Sequence, residues 1–259
     1  MTSYEPGTPC WVDLGTPDVG AAGAFYGALF GWEAHTSPDP QAGGYTFFTL
    51  PGGEGKELAA AMPLMNEGQP PAWSTYVSVS DADAVAKAVQ IAGGQVLMEP
   101  MEVMGQGKMA VFIDPQGAVI SVWQPLAFQG AAYVNDPNTY CWSELACRDI
   151  DGAKAFYTEV FGWTGETNAF GSTTYTEWKV DGRSIAGMVE MDDQWPADVP
   201  PHWMVYFAVD DCDAIAAKTT ELGGTVSVPP TDIPIGRFAV LGDPHGAFFS
   251  VIGLTAPVG

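Results

Sequence analysis

A chain of 259 residues that is 47% hydrophobic and 15% charged has enough apolar residues to bury a core and is not disordered by composition. Nine Lys and Arg against 31 Asp and Glu give a net charge of −22, which excludes nucleic acid and anionic membrane surfaces as partners, because both need a basic footprint. No apolar run approaches the roughly 20 residues of a membrane span, and Met1–Pro9 carries no apolar signal segment. Cys10, Cys141, Cys147 and Cys212 form no CxxC pair and no zinc-spaced cluster, so the expectation is a cytoplasmic protein with buried thiols.

In chain order, a short alternating strand is expected over Trp11–Leu14, followed by Asp18 as a helix N-cap. The helix presents Ala21, Ala24, Phe25, Ala28 and Leu29 at helical spacing and stops at Gly31. His35 is expected in a solvated loop. A strand with Phe47, Phe48 and Leu50 follows, and "GGEGKE" (Gly52–Glu57) reads as a β-hairpin, since it lacks the spacing of a phosphate-binding loop. A strand opening near Trp73 leads to a helix from about Asp81 to Ala92, which ends at Gly93-Gly94. Two strands then flank "DPQG" (Asp114–Gly117), a tight-turn signal.

The same order then repeats. "CWVDL" at Cys10 returns as "CWSEL" at Cys141, and "FYGALFGW" at Phe25 returns as "FYTEVFGW" at Phe156. "PPAWSTYVSVSDAD" at Pro70 returns as "PPHWMVYFAVDDCD" at Pro200, and Asp114 returns as Asp243 in "DPHG", which places His245 in a solvated turn. Asp149 and Gly162 take the capping places of Asp18 and Gly31, and Tyr175, Glu177 and Val180 lie on the counterpart strand. A second helix is expected over Asp211–Leu222. A period this long means paired modules rather than a solenoid. The first module spans 1–126, a Gly-, Asn- and Pro-rich linker 127–138, and the second module 139–259. The repeated aromatic string reads as core packing and helix capping. Arg237 in "PIGRF" is expected to pair with an acidic neighbour.

Taken together and in this order, these segments resemble the vicinal oxygen chelate superfamily, which holds glyoxalases, bleomycin-resistance proteins and extradiol dioxygenases, and within it the two-module actinobacterial branch. The resemblance implies an α+β fold of tandem βαβββ modules, with two curved mixed sheets forming cups backed by helices. It also implies, in active members, a divalent metal held by His, Gln or Glu. The positions that would carry those ligands are Trp11, Ser74 and Ser121 in one module and Trp142, Met204 and Ser250 in the other. None is a normal ligand for a hard or borderline divalent ion. The expectation is therefore no metal and no cofactor, with a displaced site built from Asp13, Glu144 and His202 as the alternative.

Strand alternation places Trp11, Asp13, Ser74, Tyr76, Ser121, Trp123, Trp142, Glu144, His202, Met204, Tyr206 and Ser250 on the cup-facing side. Such an aromatic surface with a few hydroxyls and two carboxylates suits a small organic ligand. Glu144 is the expected acid/base, with Asp13 as its counterpart. The blander alternative is that the tryptophans fill the cup, the carboxylates reach solvent and His202 is a rim residue. The favoured function is a metal-independent aromatic cup that binds a small organic molecule, with catalysis left open; the alternatives are a metal-dependent glyoxalase-type lyase or isomerase acting on methylglyoxal-like oxo-compounds and an auxiliary enzyme of aromatic secondary metabolism. Because the duplication supplies both modules, a monomer suffices, and a homodimer is neither required nor excluded.

Overall fold

The computed structural model describes residues 4–53, 55–170, 173–193 and 195–255. The first repeat runs β1 (Pro9–Thr16), α1 (Val19–Phe30), β2 (Glu33–Thr36), β3 (Thr46–Thr49), β4 (Glu57–Pro63), β5 (Ala72–Ser78), α2 (Ala82–Ile91), β6 (Gln95–Val103), β7 (Gly107–Ile113) and β8 (Val119–Pro125). The second runs β9 (Tyr140–Cys147), α3 (Ile150–Phe161), β10 (Thr164–Phe170), β11 (Thr173–Val180), β12 (Arg183–Glu190), β13 (His202–Ala208), α4 (Cys212–Glu221), β14 (Thr225–Ile233), β15 (Gly236–Gly242) and β16 (Phe248–Leu254). Each repeat is thus βαβββ twice over. The strands form two eight-stranded mixed sheets, β2-β3-β4-β1-β5-β8-β7-β6 and β10-β11-β12-β9-β13-β16-β15-β14.

The elements form for the expected local reasons. Asp18, Asp81, Asp149 and Asp211 each cap a helix by accepting a backbone N–H three residues on, at 2.9–3.0 Å. Gly31 and Gly162 end α1 and α3 in the left-handed conformation, at φ 78° and 70°, where a side chain would be strained. The Asp114 and Asp243 turns join β7 to β8 and β15 to β16. Arg237 pairs with Asp213 and Asp232, both exposed. One expectation is corrected: His35 is not in a loop but on β2, an edge strand paired with β3, where its ring lies 3.7 Å from Glu33. Glu33–Thr36 is exposed throughout, so it lacks the alternation that marks a half-buried strand.

The chain divides into two compact units. One takes the described residues of Met1–Trp11, Thr75–Gly130 and Trp142–Met204 and holds α2 and α3; the other takes those of Val12–Ser74, Ala131–Cys141 and Val205–Gly259 and holds α1 and α4. Each unit therefore draws half of its residues from each repeat, and each has its own core. In the α2/α3 unit the core gathers Val77, Phe112, Ile120, Leu145, Phe156, Tyr157, Trp163 and Trp178. In the α1/α4 unit it gathers Val12, Leu14, Phe25, Tyr26, Phe48, Phe207, Phe249 and Val251.

A buried triad at the centre of each core explains why three separate strings recur together. Tyr157 donates its phenol proton to Asp114 Oδ2 at 3.0 Å and accepts the Trp203 indole N–H at 2.9 Å. Tyr26 does the same with Asp243 (3.2 Å) and Trp73 (3.0 Å). The other oxygen of each aspartate accepts two amides of its own turn, Gln116 and Ala118 or His245 and Ala247. In both triads the tyrosine and aspartate come from different repeats. Burial and the adjacent carboxylate push both phenols far above the usual tyrosine range. The closing tryptophan of each aromatic string is fixed as well, Trp163 to the Gly7 carbonyl (2.7 Å) and Trp32 to the Asn138 carbonyl (2.8 Å).

Candidate functional site

The sheet face turned away from the core carries the expected residues, divided between the units. In the α2/α3 unit, Ala110 and Phe112 on β7 and Ile120 and Val122 on β8 enter the core. Alternation then turns Met109, Val111, Ser121 and Trp123 the other way. Ladder register makes two rows across β8, β7 and β6: Ser121–Val111–Met98 and Trp123–Met109–Met101, with Tyr76 of β5 beside Ser121. In the α1/α4 unit the counterpart rows are Ser250–Val240–Val228 and Ile252–Phe238–Thr231, with Tyr206 beside Ser250. The Tyr76/Ser121 and Tyr206/Ser250 pairs are thus direct ladder neighbours. The Ser250 hydroxyl is fully buried, with no hydrogen-bond partner among the described residues.

The duplicated positions differ in how far they are closed. Trp11 is 4% exposed and Trp123 8%. Phe128, in the segment after β8, packs edge-on against both, at ring distances of 4.8 and 6.0 Å, and its carbonyl accepts the Trp123 indole N–H at 2.9 Å. In the α1/α4 unit, Asp13 is 3% exposed and accepts the Tyr45 phenol at 3.1 Å. Its carboxylate does not reach solvent. In the second repeat the counterparts Trp142 and Glu144 are only half-buried.

Trp142 and Glu144 point from the same side of β9. Glu144 is the register partner of Gly187 on β12, and Gly187 is the partner of Glu177 on β11. The bare Gly187 makes room for Tyr175, whose hydroxyl sits where a Cβ at 187 would be. That hydroxyl accepts the Trp142 indole N–H at 2.9 Å. At the start of β13, His202 and Met204 share one face; the His202 ring is tied through Nδ1 to the Pro200 carbonyl (2.9 Å) and lies 6.2 Å from Trp195. Sequence reasoning missed Tyr175, Gly187, Phe128 and Tyr45 as partners of the predicted residues. The sequence signal available was that Tyr45 and Tyr175 each directly precede an equivalent threonine, Thr46 and Thr176, in the two repeats.

The residues at the implied metal positions do not fit a divalent ion. The Trp142 indole N–H is committed to Tyr175, Trp11 lies under Phe128, and the remaining positions offer hydroxyls and one thioether. Among the described residues, no group of three or more His, Cys, Asp or Glu side chains is disposed to hold a metal. Of the residues named for a displaced site, Asp13 accepts the Tyr45 phenol and the His202 ring is tied to the Pro200 carbonyl. All four cysteines are free and buried. Burial raises every thiol, Cys147 to about 12 and Cys212 to about 11, so none is a ready nucleophile.

A surface depression of about 480 Å³ lies at the start of α1, lined by Pro17, Asp18, Gly20, Gly23, Thr36 and Pro63. In the second repeat Lys154 takes the place of Gly23 and donates to Thr167 at 2.6 Å. No helix among the described residues is long and apolar enough to cross a membrane.

Comparison with known proteins agrees with this architecture. The family model for the Glyoxalase/Bleomycin resistance protein/Dioxygenase superfamily matches residues 10–122 and again 131–251. The chain is 41% identical over 268 residues to the anthracycline biosynthesis protein DauV of Streptomyces sp. (strain C5), covering 98% of this chain and 96% of that one. It is 44% identical over 254 residues to CFP32 of Mycobacterium tuberculosis (strain CDC 1551 / Oshkosh), provisionally named a glyoxylase, covering 97% and 96%. Among solved structures, the Mn(II)-bound glyoxalase from Novosphingobium aromaticivorans superposes with a TM-score of 0.65 at 18% identity, covering 98% of this chain and 84% of that one. At that identity the likeness concerns fold alone.

Proposed function

The chain belongs to the Glyoxalase/Bleomycin resistance protein/Dioxygenase superfamily, and from that premise we propose that it binds a flat, oxygenated aromatic molecule of secondary metabolism on the Trp142–Glu144–Tyr175 face, without a divalent metal, and that Glu144 exchanges a proton with it. The observation that carries this reading is the asymmetry of the duplication. Trp11 and Asp13 are closed off, whereas Trp142 and Glu144 stay half-open beside a tyrosine fixed by an indole N–H. An indole face offers stacking area, the fixed phenol oxygen a polar contact, and a carboxylate on the same strand face a proton acceptor. The 41% identity to an anthracycline biosynthesis protein supports an aromatic, oxygen-rich ligand class.

In this reading the ancestral metal chemistry is not used, because the residues at the ligand positions do not fit the ion. Glu144 takes a proton from an acidic phenol or an activated C–H of the bound molecule and returns it elsewhere. The Trp142–Tyr175 pair holds the molecule in reach. The protein works as a monomer on a small organic partner in a reducing cytoplasm, in keeping with its four free, buried thiols. The test is equilibrium dialysis of chelator-treated protein against hydroxylated naphthoquinones and anthraquinones, with the products analysed by mass spectrometry. Binding near one equivalent, with any conversion abolished in Glu144→Gln, is the expected result. Binding or turnover that appears only when Mn(II), Ni(II) or Zn(II) is restored contradicts it and favours the metal-dependent glyoxalase reading.

A further inference from the structure

Four of the ten methionines fall in a twelve-residue stretch, Met98 to Met109, and the ladder register gathers three of them. Met101 is the direct partner of Met109 across β6 and β7, and Met98 is the partner of Val111. Met109 and Val111 alternate on β7 with the core residues Ala110 and Phe112, so Met98, Met101 and Met109 share the face turned from the core. Met101 and Met109, directly opposed, start about 5 Å apart at Cβ, and Met98, on the diagonal from Met109, about 7–8 Å from it, distances that the three rotatable bonds of methionine can close. A bulge between Met98 and Met101 keeps both on this face despite their spacing of three.

An aromatic ring completes the cluster. Trp123 is the register partner of Met109 on β8. Its six-membered ring lies over Gly107, two residues from Met109 on the same face, where no Cβ obstructs it. Phe128 and its carbonyl hold the indole there. The face is accessible, since Met101 is 48% exposed and Met98 and Met109 are half-buried. The second repeat has Val228, Thr231, Phe238 and Ile252 at the counterpart places, so shared architecture does not require the thioethers.

We propose that Met98, Met101 and Met109 bind one soft monovalent metal ion, Cu(I), through their thioether sulfurs, with the Trp123 ring against the ion. Neutral thioethers are poor ligands for Zn(II), Mn(II) or Mg(II) and good ones for Cu(I). A tryptophan ring adds cation–π attraction, more so where water is excluded, and Trp123 is only 8% exposed. A net charge of −22 favours any cation's approach. This site shares no residue with the Trp142–Glu144–Tyr175 face, and its failure would leave that reading untouched.

The test uses the full chain labelled with 13C at the methionine methyls and titrated anaerobically with Ag(I), a redox-inert stand-in for Cu(I). The methyl signals of Met98, Met101 and Met109, assigned through single Met→Leu variants, should move together and saturate at one equivalent while the other methionines stay put. Zn(II) should leave all of them unmoved. Bicinchoninate competition for Cu(I) should show at least a tenfold loss of affinity, about 1.4 kcal/mol, in Met101→Leu and in Met109→Leu. If a Met→Leu variant fails to fold, its methyl signal is assigned in wild type from nuclear Overhauser contacts to neighbouring residues, and the wild-type titration decides. The proposal is overturned if the three methyls stay still at one equivalent, if all methionines drift together without saturating, if Zn(II) moves the same three, or if the ion goes to the thiols instead.

Discussion

Replacing Tyr157 by Phe removes a single oxygen from the centre of the α2/α3 core. The loss strands two groups. Asp114 Oδ2 loses its phenol donor and keeps only the turn amides on its other oxygen, and the Trp203 indole N–H loses its acceptor. A hydrogen bond to a buried carboxylate contributes about 2 kcal/mol, and an orphaned buried N–H costs about 1 kcal/mol more. The ring itself stays and packs as before against Trp163 and Trp203, so no cavity term is added. The expected destabilisation is about 3 kcal/mol, or about 9 °C in melting temperature at roughly 3 °C per kcal/mol for a chain of this size. Differential scanning calorimetry with parallel urea unfolding measures both. Tyr26→Phe should cost the α1/α4 unit a similar amount, because Asp243 and Trp73 are left in the same condition. The two losses should add, since the triads lie in separate cores and share no partner. A drop below about 1 °C in both variants would refute the assignment of these triads as the reason the three strings recur.

Other outcomes follow from the same contacts. Gly187→Ala should push Tyr175 off Trp142, because the new methyl collides with the phenol oxygen; ligand affinity should fall at least tenfold, about 1.4 kcal/mol, when read by calorimetric titration. Glu144→Gln should leave binding intact and lower any turnover by about 100-fold or more, whereas Asp13→Asn, inside a closed position, should change melting temperature and not turnover. Stability should fall on alkalinisation. Tyr26, Tyr157, Cys10 and Cys141 are all held protonated in the fold, so their contribution is fully present below the unfolded values of about 9 for thiols and 10 for phenols. It is lost as pH rises from there toward the folded values, because the unfolded chain releases protons first. Urea midpoints should therefore decline from about pH 9 upward, and a flat profile from pH 8 to 10.5 would contradict the burial of these groups.

Much of the fold was legible because local chemistry and the repeat agree. Asp caps, glycine stops and the two Asp-Pro turns mark element boundaries whatever the tertiary context, and seeing them twice settles the family architecture. What escaped the sequence is what depends on distance. The β2 strand is wholly exposed and carries no alternation. The tyrosine–aspartate bonds join opposite repeats, 43 and 217 residues apart, which no local pattern encodes. The cup-facing alternation located Trp11 and Trp142 as equivalents, yet their unequal exposure follows from Phe128, a residue in a segment read only as linker. Gly187 was invisible as a site residue, since its role is to be absent where Tyr175 needs space.

The central claim is that an organic molecule binds on the Trp142 face with no divalent metal. It is tested most directly by titrating chelator-treated protein with a hydroxylated anthraquinone in a calorimeter, in parallel for wild type, Trp142→Ala and Trp11→Ala. Saturable binding near one equivalent in wild type, kept in Trp11→Ala and lost in Trp142→Ala, is the predicted result. Binding that needs an added divalent ion, or that survives in Trp142→Ala, contradicts it.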